Sequence, residues 1–159
     1  MTKKQVKNVF VSHIHEDDSG LKELKALLDE NGLTIRDYSI NSSSPNNAKS
    51  ETYIKNEILA PQISACDTLV VYISPGTKDS KYVAWEIEYA EKHDKNIVGV
   101  WAHGEKGCDV PKALADHADA IVGWHGTSIV DAITGTQVGY QEPDGSPTTP
   151  INIKRYRCS

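Results

Sequence analysis

The sequence lacks a long apolar run, paired cysteines and a surplus of basic residues. No apolar stretch approaches the roughly 20 residues that a membrane-spanning helix needs, and the polar residues 1–7 are not followed by the apolar segment of a signal peptide. Lysine and arginine number 17 against 22 acidic residues, so the basic surface typical of nucleic-acid binding is missing. We therefore expect a cytoplasmic protein that binds neither membranes nor nucleic acid.

The number and spacing of the cysteines argue against a disulfide-bonded fold and a structural zinc site. Cys66, Cys108 and Cys158 are odd in number, lie far apart and form no Cys-x-x-Cys pair. This pattern favours reduced thiols in the cytoplasm over a disulfide framework. It also argues against a structural zinc site, which usually takes four closely spaced ligands.

What is present is enough for one folded domain. The chain has 159 residues, of which 38% are hydrophobic and 25% are charged, and this suits a single core. Short apolar runs alternate with helical patterns five times. The predicted strands are 8–12, 33–38, 67–74, 96–101 and 120–124. The predicted helices are 21–31, 49–65, 80–93, 112–116 and 128–134.

Strands that alternate with helices predict an α/β fold with helices on both faces of a parallel sheet. The simplest topology is flavodoxin-like, with five parallel strands in the order 2-1-3-4-5. We assign residues 1–135 to this domain. Residues 136–159 are rich in proline and glycine turns and are expected to form an extension packed on the same domain, with 151–156 as a candidate edge strand.

Ligands of open parallel sheets bind outside the carboxyl ends of the strands. The sequence lacks several well-known binding motifs at these positions. Neither a Gly-x-Gly-x-x-Gly fingerprint nor a phosphate-binding P-loop follows a strand. The acidic run 15–18 would repel a flavin phosphate. Ser74 stands where a phospho-receiver domain carries an aspartate.

The run His13-x-His15-x-Asp17 offers a metal-dependent hydrolase as one alternative, since imidazole and carboxylate bind zinc, iron or manganese. Such a site needs further ligands, and the other histidines show no evident pairing with this run. We therefore expect no metal, although the alternative stays open.

The predicted third helix has a candidate catalytic group. Val83, Ile87 and Ala90 form its apolar stripe, and Glu86 lies on the margin of that stripe, one turn from Tyr82. A carboxylate at an apolar edge beside aromatic rings suits catalysis. Spacing alone nevertheless favours an ordinary solvated glutamate.

Several short motifs together resemble TIR domains, and most closely the ThsB-type TIR-like proteins of the bacterial Thoeris anti-phage system. The strand 9–12 with its acidic turn resembles the first TIR box, and Tyr82–Ile87 resembles the aromatic-Val-x-x-Glu-Ile motif of the third helix. The similarity extends from residue 8 to residue 135. The smaller matches are Asp37-Tyr38-Ser39 after the second strand, Thr77 and Ser80 before the third helix, and Trp124 after the last strand.

The resemblance implies that the chain cleaves nicotinamide from NAD⁺, which serves as substrate and not as cofactor. It makes Glu86 the catalytic residue, and Tyr82 or Trp85 the ring that stacks on the substrate. The remaining substrate-binding candidates are Ser12, His13, Asp37, Ser39 and Asn46.

The resemblance also implies partners. Relatives in phage defence often make a cyclic ADP-ribose-type signal, and a separate nucleotide-sensing effector reads it. The polar loop 39–47 matches a loop through which TIR domains contact one another, so a homo-oligomer is expected. The same loop supports the alternative of a non-enzymatic TIR-type scaffold, because exposed polar loops are natural interaction surfaces.

Overall fold

The computed structural model describes residues 5–13, 18–37, 60–102, 110–134, 140–141 and 147–148. Its described elements are numbered here in chain order. The strands are β1 (Gln5–Ser12), β2 (Leu33–Asp37), β3 (Thr68–Ile73), β4 (Asn96–Trp101), β5 (Ala120–Val122), β6 (Tyr140–Gln141) and β7 (Pro147–Thr148). The α-helices are α1 (Asp18–Glu30), α2 (Ala60–Ser64), α3 (Lys81–Lys92), α4 (Lys112–His117) and α5 (Gly126–Ile133).

The described strands form one sheet in the order β2-β1-β3-β4-β5-β6-β7. Strands β1 to β5 are parallel, which confirms the predicted α/β class and the order 2-1-3-4-5. Two short strands were not predicted: β6 is parallel to β5, and β7 is antiparallel to β6. Two residues are too few to show an alternating hydrophobic pattern, so no periodicity could reveal them.

Alternate residues of the central strands face opposite sides of the sheet, and each side is covered by helices. On one side, Phe10 and Val71 pack under α2, α3 and α4. On the other side, Val9, Val11 and Val70 pack under α1 and α5. Every residue of β3 is buried, because this strand has a neighbour on each edge and helices above and below.

The connection from β3 to α3 is fixed by side-chain hydroxyl groups. Thr77 Oγ1 donates to the Tyr72 carbonyl at 3.1 Å and accepts from the Ser74 amide at 3.0 Å. Ser80 then caps α3, since its Oγ accepts from the Val83 amide at 3.2 Å. Thr77 and Ser80 therefore set where α3 begins, and thereby the position of every residue on it.

The described part of the predicted extension is bound to the sheet by Gln141. Its backbone carbonyl accepts from Trp101 Nε1 at 2.9 Å, and its side-chain oxygen accepts from the Gly123 amide at 3.0 Å. Tyr140 adds a hydrogen bond from its hydroxyl to the Ala118 carbonyl at 2.6 Å. The candidate edge strand 151–156 and the proposed boundary at 135 lie outside the described residues.

The described helices are short compared with a bilayer. None of them combines the length and the apolar character that a membrane span requires. The predicted helix 49–65 is described only over its last part, as α2, and its residues 49–59 lie outside the described ranges.

Candidate active site

Glu86 lies on the buried side of α3 and is not the solvated glutamate that helical spacing alone favoured. Its neighbours on this face, Val83, Ile87 and Ala90, are buried in the core, and Glu86 itself is 6% exposed. The stripe is wider than the spacing predicted, because α3 packs against the sheet and also against α2 and α4. The buried face of α3 therefore extends to the margin on which Glu86 lies.

Ser12 is the hydrogen-bond partner of this carboxyl group. It is the last residue of β1, it is 1% exposed, and its Oγ donates to Glu86 Oε1 at 2.5 Å. Residues alternate along a strand, so Ser12 faces the same side of the sheet as Phe10, which is the side that α3 covers. Two predicted site residues that lie 74 positions apart thus meet at the carboxyl end of β1.

Burial determines the charge of Glu86. Removal of the carboxyl group from water raises its pKa, the hydrogen bond from Ser12 lowers it by a smaller amount, and the net result is a pKa of about 8 instead of 4.5. Among the described residues, no cation is paired with Glu86. The carboxyl group is therefore mostly protonated and neutral at pH 7 in this structure.

His13 follows Ser12 directly and has a defined ring orientation. Its Nδ1 lies 3.0 Å from the Val11 carbonyl oxygen. A carbonyl only accepts hydrogen bonds, so Nδ1 carries the hydrogen in this contact. In the neutral ring, Nε2 is then the nitrogen that can accept a proton or a hydrogen bond.

Tyr82 and Trp85, the two candidate stacking rings, have different surroundings. Tyr82 is 36% exposed and lies one turn before Glu86. Trp85 is half-buried, packs against the core and stacks on Tyr89, with ring centroids 5.1 Å apart. Tyr89 in turn lies against His93 at 4.2 Å, a ring partner that the sequence analysis did not identify. Its signal was the spacing of four residues between Trp85, Tyr89 and His93.

The other predicted site residues are only partly described. Asp37 ends β2, where its backbone is in register with Val9 of β1, three residues before Ser12 at the end of that strand. The Asp37 side chain, Ser39, Asn46 and the whole loop 39–47 lie outside the described residues. Their assignment to substrate binding, to self-association or to a scaffold therefore stays a prediction.

The metal alternative is also untested. Among the described residues, no three His, Cys, Asp or Glu side chains are grouped so that they could hold a metal ion. Of the three proposed ligands, however, only His13 is described, and His15 and Asp17 are not.

A family model described as "Thoeris protein ThsB, TIR-like domain" matches residues 10–107, more than half of the chain. The chain belongs to this family. The matched segment of this TIR-like domain contains both Ser12 and Glu86 and the complete connection between β3 and α3. No curated protein matches the sequence significantly.

Several solved structures are similar to this TIR-like domain at low sequence identity. The 2-desoxiribosyltransferase from Leishmania mexicana is 18% identical over 65% of this chain and 68% of its own, with a TM-score of 0.44. The TIR domains of the activated Roq1 resistosome are 23% identical over 60% and 57%, with a TM-score of 0.41. The Clostridium botulinum CMP N-glycosidase BcmB is 17% identical over 96% and 100%, with a TM-score of 0.44.

Proposed function

We propose that this TIR-like domain cleaves the bond between nicotinamide and ribose in NAD⁺, with Glu86 as the catalytic residue. The observation that supports this most directly is the buried carboxyl group of Glu86, which Ser12 holds at the carboxyl end of a central parallel strand. Ligands of open parallel sheets bind at this end of the strands. Membership of the ThsB TIR-like family supports the same choice of substrate.

The chemistry requires negative charge more than it requires an acid. Nicotinamide leaves NAD⁺ as a neutral molecule, so no proton has to be donated to it. The ribose develops positive charge in an oxocarbenium-like transition state, as in glycoside cleavage. An ionised Glu86 beside the ribose stabilises that charge, and a site with little water strengthens the interaction.

Glu86 must therefore release its proton to water when the substrate binds, before the reaction begins. The positive nicotinamide ring of NAD⁺ supplies the reason, because an opposite charge a few ångströms away favours the ionised carboxylate and lowers its pKa. NADH has no such charge, and its dihydronicotinamide is a poor leaving group. The buried carboxyl of Glu86 thus favours the oxidised dinucleotide over the reduced one.

The proposed product is a cyclic ADP-ribose-type nucleotide that activates a separate effector in anti-phage defence. Cyclisation requires another part of the same molecule to attack the ribose before water does, so the site must exclude water during the reaction. The low exposure of Ser12 and Glu86 is in keeping with that requirement. Self-association through loop 39–47 belongs to the same proposal.

The test is nicotinamide release from NAD⁺, followed by chromatography and mass spectrometry of the ribosyl product. Purified protein is assayed alone and with a lysate of phage-infected cells, which supplies a trigger if one is needed. We expect Glu86→Gln to lower the turnover about 100- to 1,000-fold. Glu88→Gln is the matched control, because Glu88 is an exposed glutamate on the same helix. Equal turnover by the wild type and Glu86→Gln would refute the catalytic assignment.

A further inference from the structure

We infer that Ser12 acts on the cleavage reaction through Glu86, as the residue that positions its carboxyl group, and not as a ligand of NAD⁺. This inference rests on the proposed function. The resemblance to TIR domains placed Ser12 among the substrate-binding residues, but the described contacts of its side chain point to a different role.

A substrate has little access to Ser12. Ser12 is 1% exposed and Glu86 beside it is 6% exposed, so a substrate reaches the carboxyl group more readily than the hydroxyl. A serine hydroxyl has a single hydrogen to donate, and Ser12 donates it to Glu86 Oε1 at 2.5 Å. A ribose hydroxyl could receive that hydrogen only if the bond to Glu86 were broken.

Ser12 donates its hydrogen bond from a rigid position. Strand β1 lies between β2 and β3, and Ser12 is in register with Val71 of the fully buried strand β3. On the other side, α3 is fixed by the Ser80 cap and by the buried Val83 and Ile87. Both partners therefore sit on rigid elements, which is the arrangement that holds a reacting group most accurately.

The hydrogen bond from Ser12 restricts the conformation of the Glu86 side chain. A glutamate side chain is long and has several rotamers, and a bond at one oxygen selects one of them. With Oε1 bound to Ser12, the second carboxyl oxygen has no hydrogen-bond partner among the described residues. We therefore expect the second oxygen to be the one that faces the ribose. As a donor, the Ser12 hydroxyl also favours the ionised carboxylate that the transition state requires.

The kinetic test compares Ser12→Ala, Ser12→Thr and Thr68→Val in the full-length chain. We expect Ser12→Ala to lower kcat about 10- to 100-fold with little change in KM, because the substrate still binds but meets a misplaced carboxyl group. Ser12→Thr keeps the hydroxyl and is expected to recover most of kcat. Thr68→Val is the matched control: it also removes a buried hydroxyl from a central strand, but that hydroxyl bonds to the Ile133 carbonyl, away from Glu86. A raised KM with unchanged kcat in Ser12→Ala would overturn the inference.

A second readout does not depend on turnover. The Glu86 resonance is followed by NMR during a pH titration of protein labelled with ¹³C at its glutamate carboxyl groups, and it is assigned by its loss in Glu86→Gln. Without the bond from Ser12, the pKa of Glu86 should rise in Ser12→Ala and stay unchanged in Thr68→Val. Identical titrations of the wild type and Ser12→Ala would overturn the inference.

The two readouts separate the inference from the proposed function. If the wild type never releases nicotinamide, the proposed function fails, and the titration still decides whether Ser12 holds the carboxyl group. If Ser12→Ala does not fold, Ser12→Cys replaces it, because the thiol has a similar size and is only a weak donor.

Discussion

The Ser12 hydroxyl lies 2.5 Å from the Glu86 carboxyl group, and both side chains are buried where the carboxyl end of β1 meets α3. A buried carboxyl group of this kind makes a contribution to the free energy of unfolding that depends on pH. Its neutral form fits the native structure, and its ionised form prefers the water around the unfolded chain. Ionisation of Glu86 is therefore linked to folding as well as to the proposed reaction.

The first prediction concerns stability as a function of pH. The pKa of Glu86 is about 8 in the folded protein and 4.5 as a reference for the unfolded chain, so the native state holds the proton more tightly. Its contribution to stability is complete below pH 4.5, declines as the pH rises towards about 8, and is lost above that. Each unit of pKa difference corresponds to about 1.4 kcal/mol. We expect Glu86→Gln to remove most of this decline.

Urea denaturation at pH 5.5, 7.0 and 8.5 measures the effect. The free energy of unfolding of Glu86→Gln, relative to the wild type, should increase from the lowest pH to the highest. Other titrating groups cancel in this difference. Glu88→Gln serves as the control and should run parallel to the wild type, since Glu88 is exposed. A constant difference between Glu86→Gln and the wild type would argue against a buried, neutral Glu86.

The second prediction separates the two candidate stacking rings. Tyr82 is the more exposed ring, whereas Trp85 packs on the core and stacks on Tyr89. Tyr82→Ala should raise KM for NAD⁺ and lower the free energy of unfolding by less than Trp85→Ala does. Trp85→Ala should destabilise the fold by about 1 to 3 kcal/mol, since it removes core packing and a stacked pair. Steady-state kinetics and urea denaturation of both variants check this, and the reverse pattern would assign the stacking to Trp85.

The third prediction concerns Gly20, a glycine inside α1. A Cβ at this position would lie 2.6 Å from Tyr72 Cζ, and Tyr72 is buried with its ring in a T-shaped contact with Trp124. Helix propensity alone would make Gly20→Ala stabilising by about 1 kcal/mol. We expect the opposite sign, a loss of about 1 to 3 kcal/mol, because a packed ring cannot move away without strain.

The sign of the change decides this third prediction, and thermal denaturation measures it. In the double variant with Tyr72→Phe, part of the lost stability should be recovered, because the Tyr72 hydroxyl is the group nearest to the added methyl group. A stabilised Gly20→Ala would show that α1 is not packed against Tyr72 as described.

The fourth prediction concerns the hydrogen bonds of Gln141. Its side-chain oxygen accepts from the Gly123 amide at 3.0 Å, just beyond the end of β5. Gln141→Ala leaves that amide without its partner, and we expect a loss of about 1 to 3 kcal/mol. Gln62→Ala on α2 is the control and should cost less than about 0.5 kcal/mol. Similar stabilities of the two variants would mean that Gln141 does not fasten the extension to the sheet.

The sequence alone determined the class of fold and the order of the first five strands. Apolar runs such as Thr68–Ile73 are long enough to be recognised as buried strands. Parallel strands are joined by right-handed crossovers, which leaves few possible topologies. The sequence also drew attention to Ser12 and Glu86 through the family resemblance. Each of these two residues lies in a short motif that can be recognised from a few neighbouring residues.

Tertiary structure decided what no local pattern contains. Helical spacing placed Glu86 on a margin, and only the packing of α3 in the tertiary structure buried it. The bond between Ser12 and Glu86 depends on the side of the sheet that α3 covers, which sequence spacing does not specify. The strands β6 and β7 are two residues long, so their own sequence does not indicate a strand. Their pairing depends on the neighbouring strand, β5 for β6 and β6 for β7.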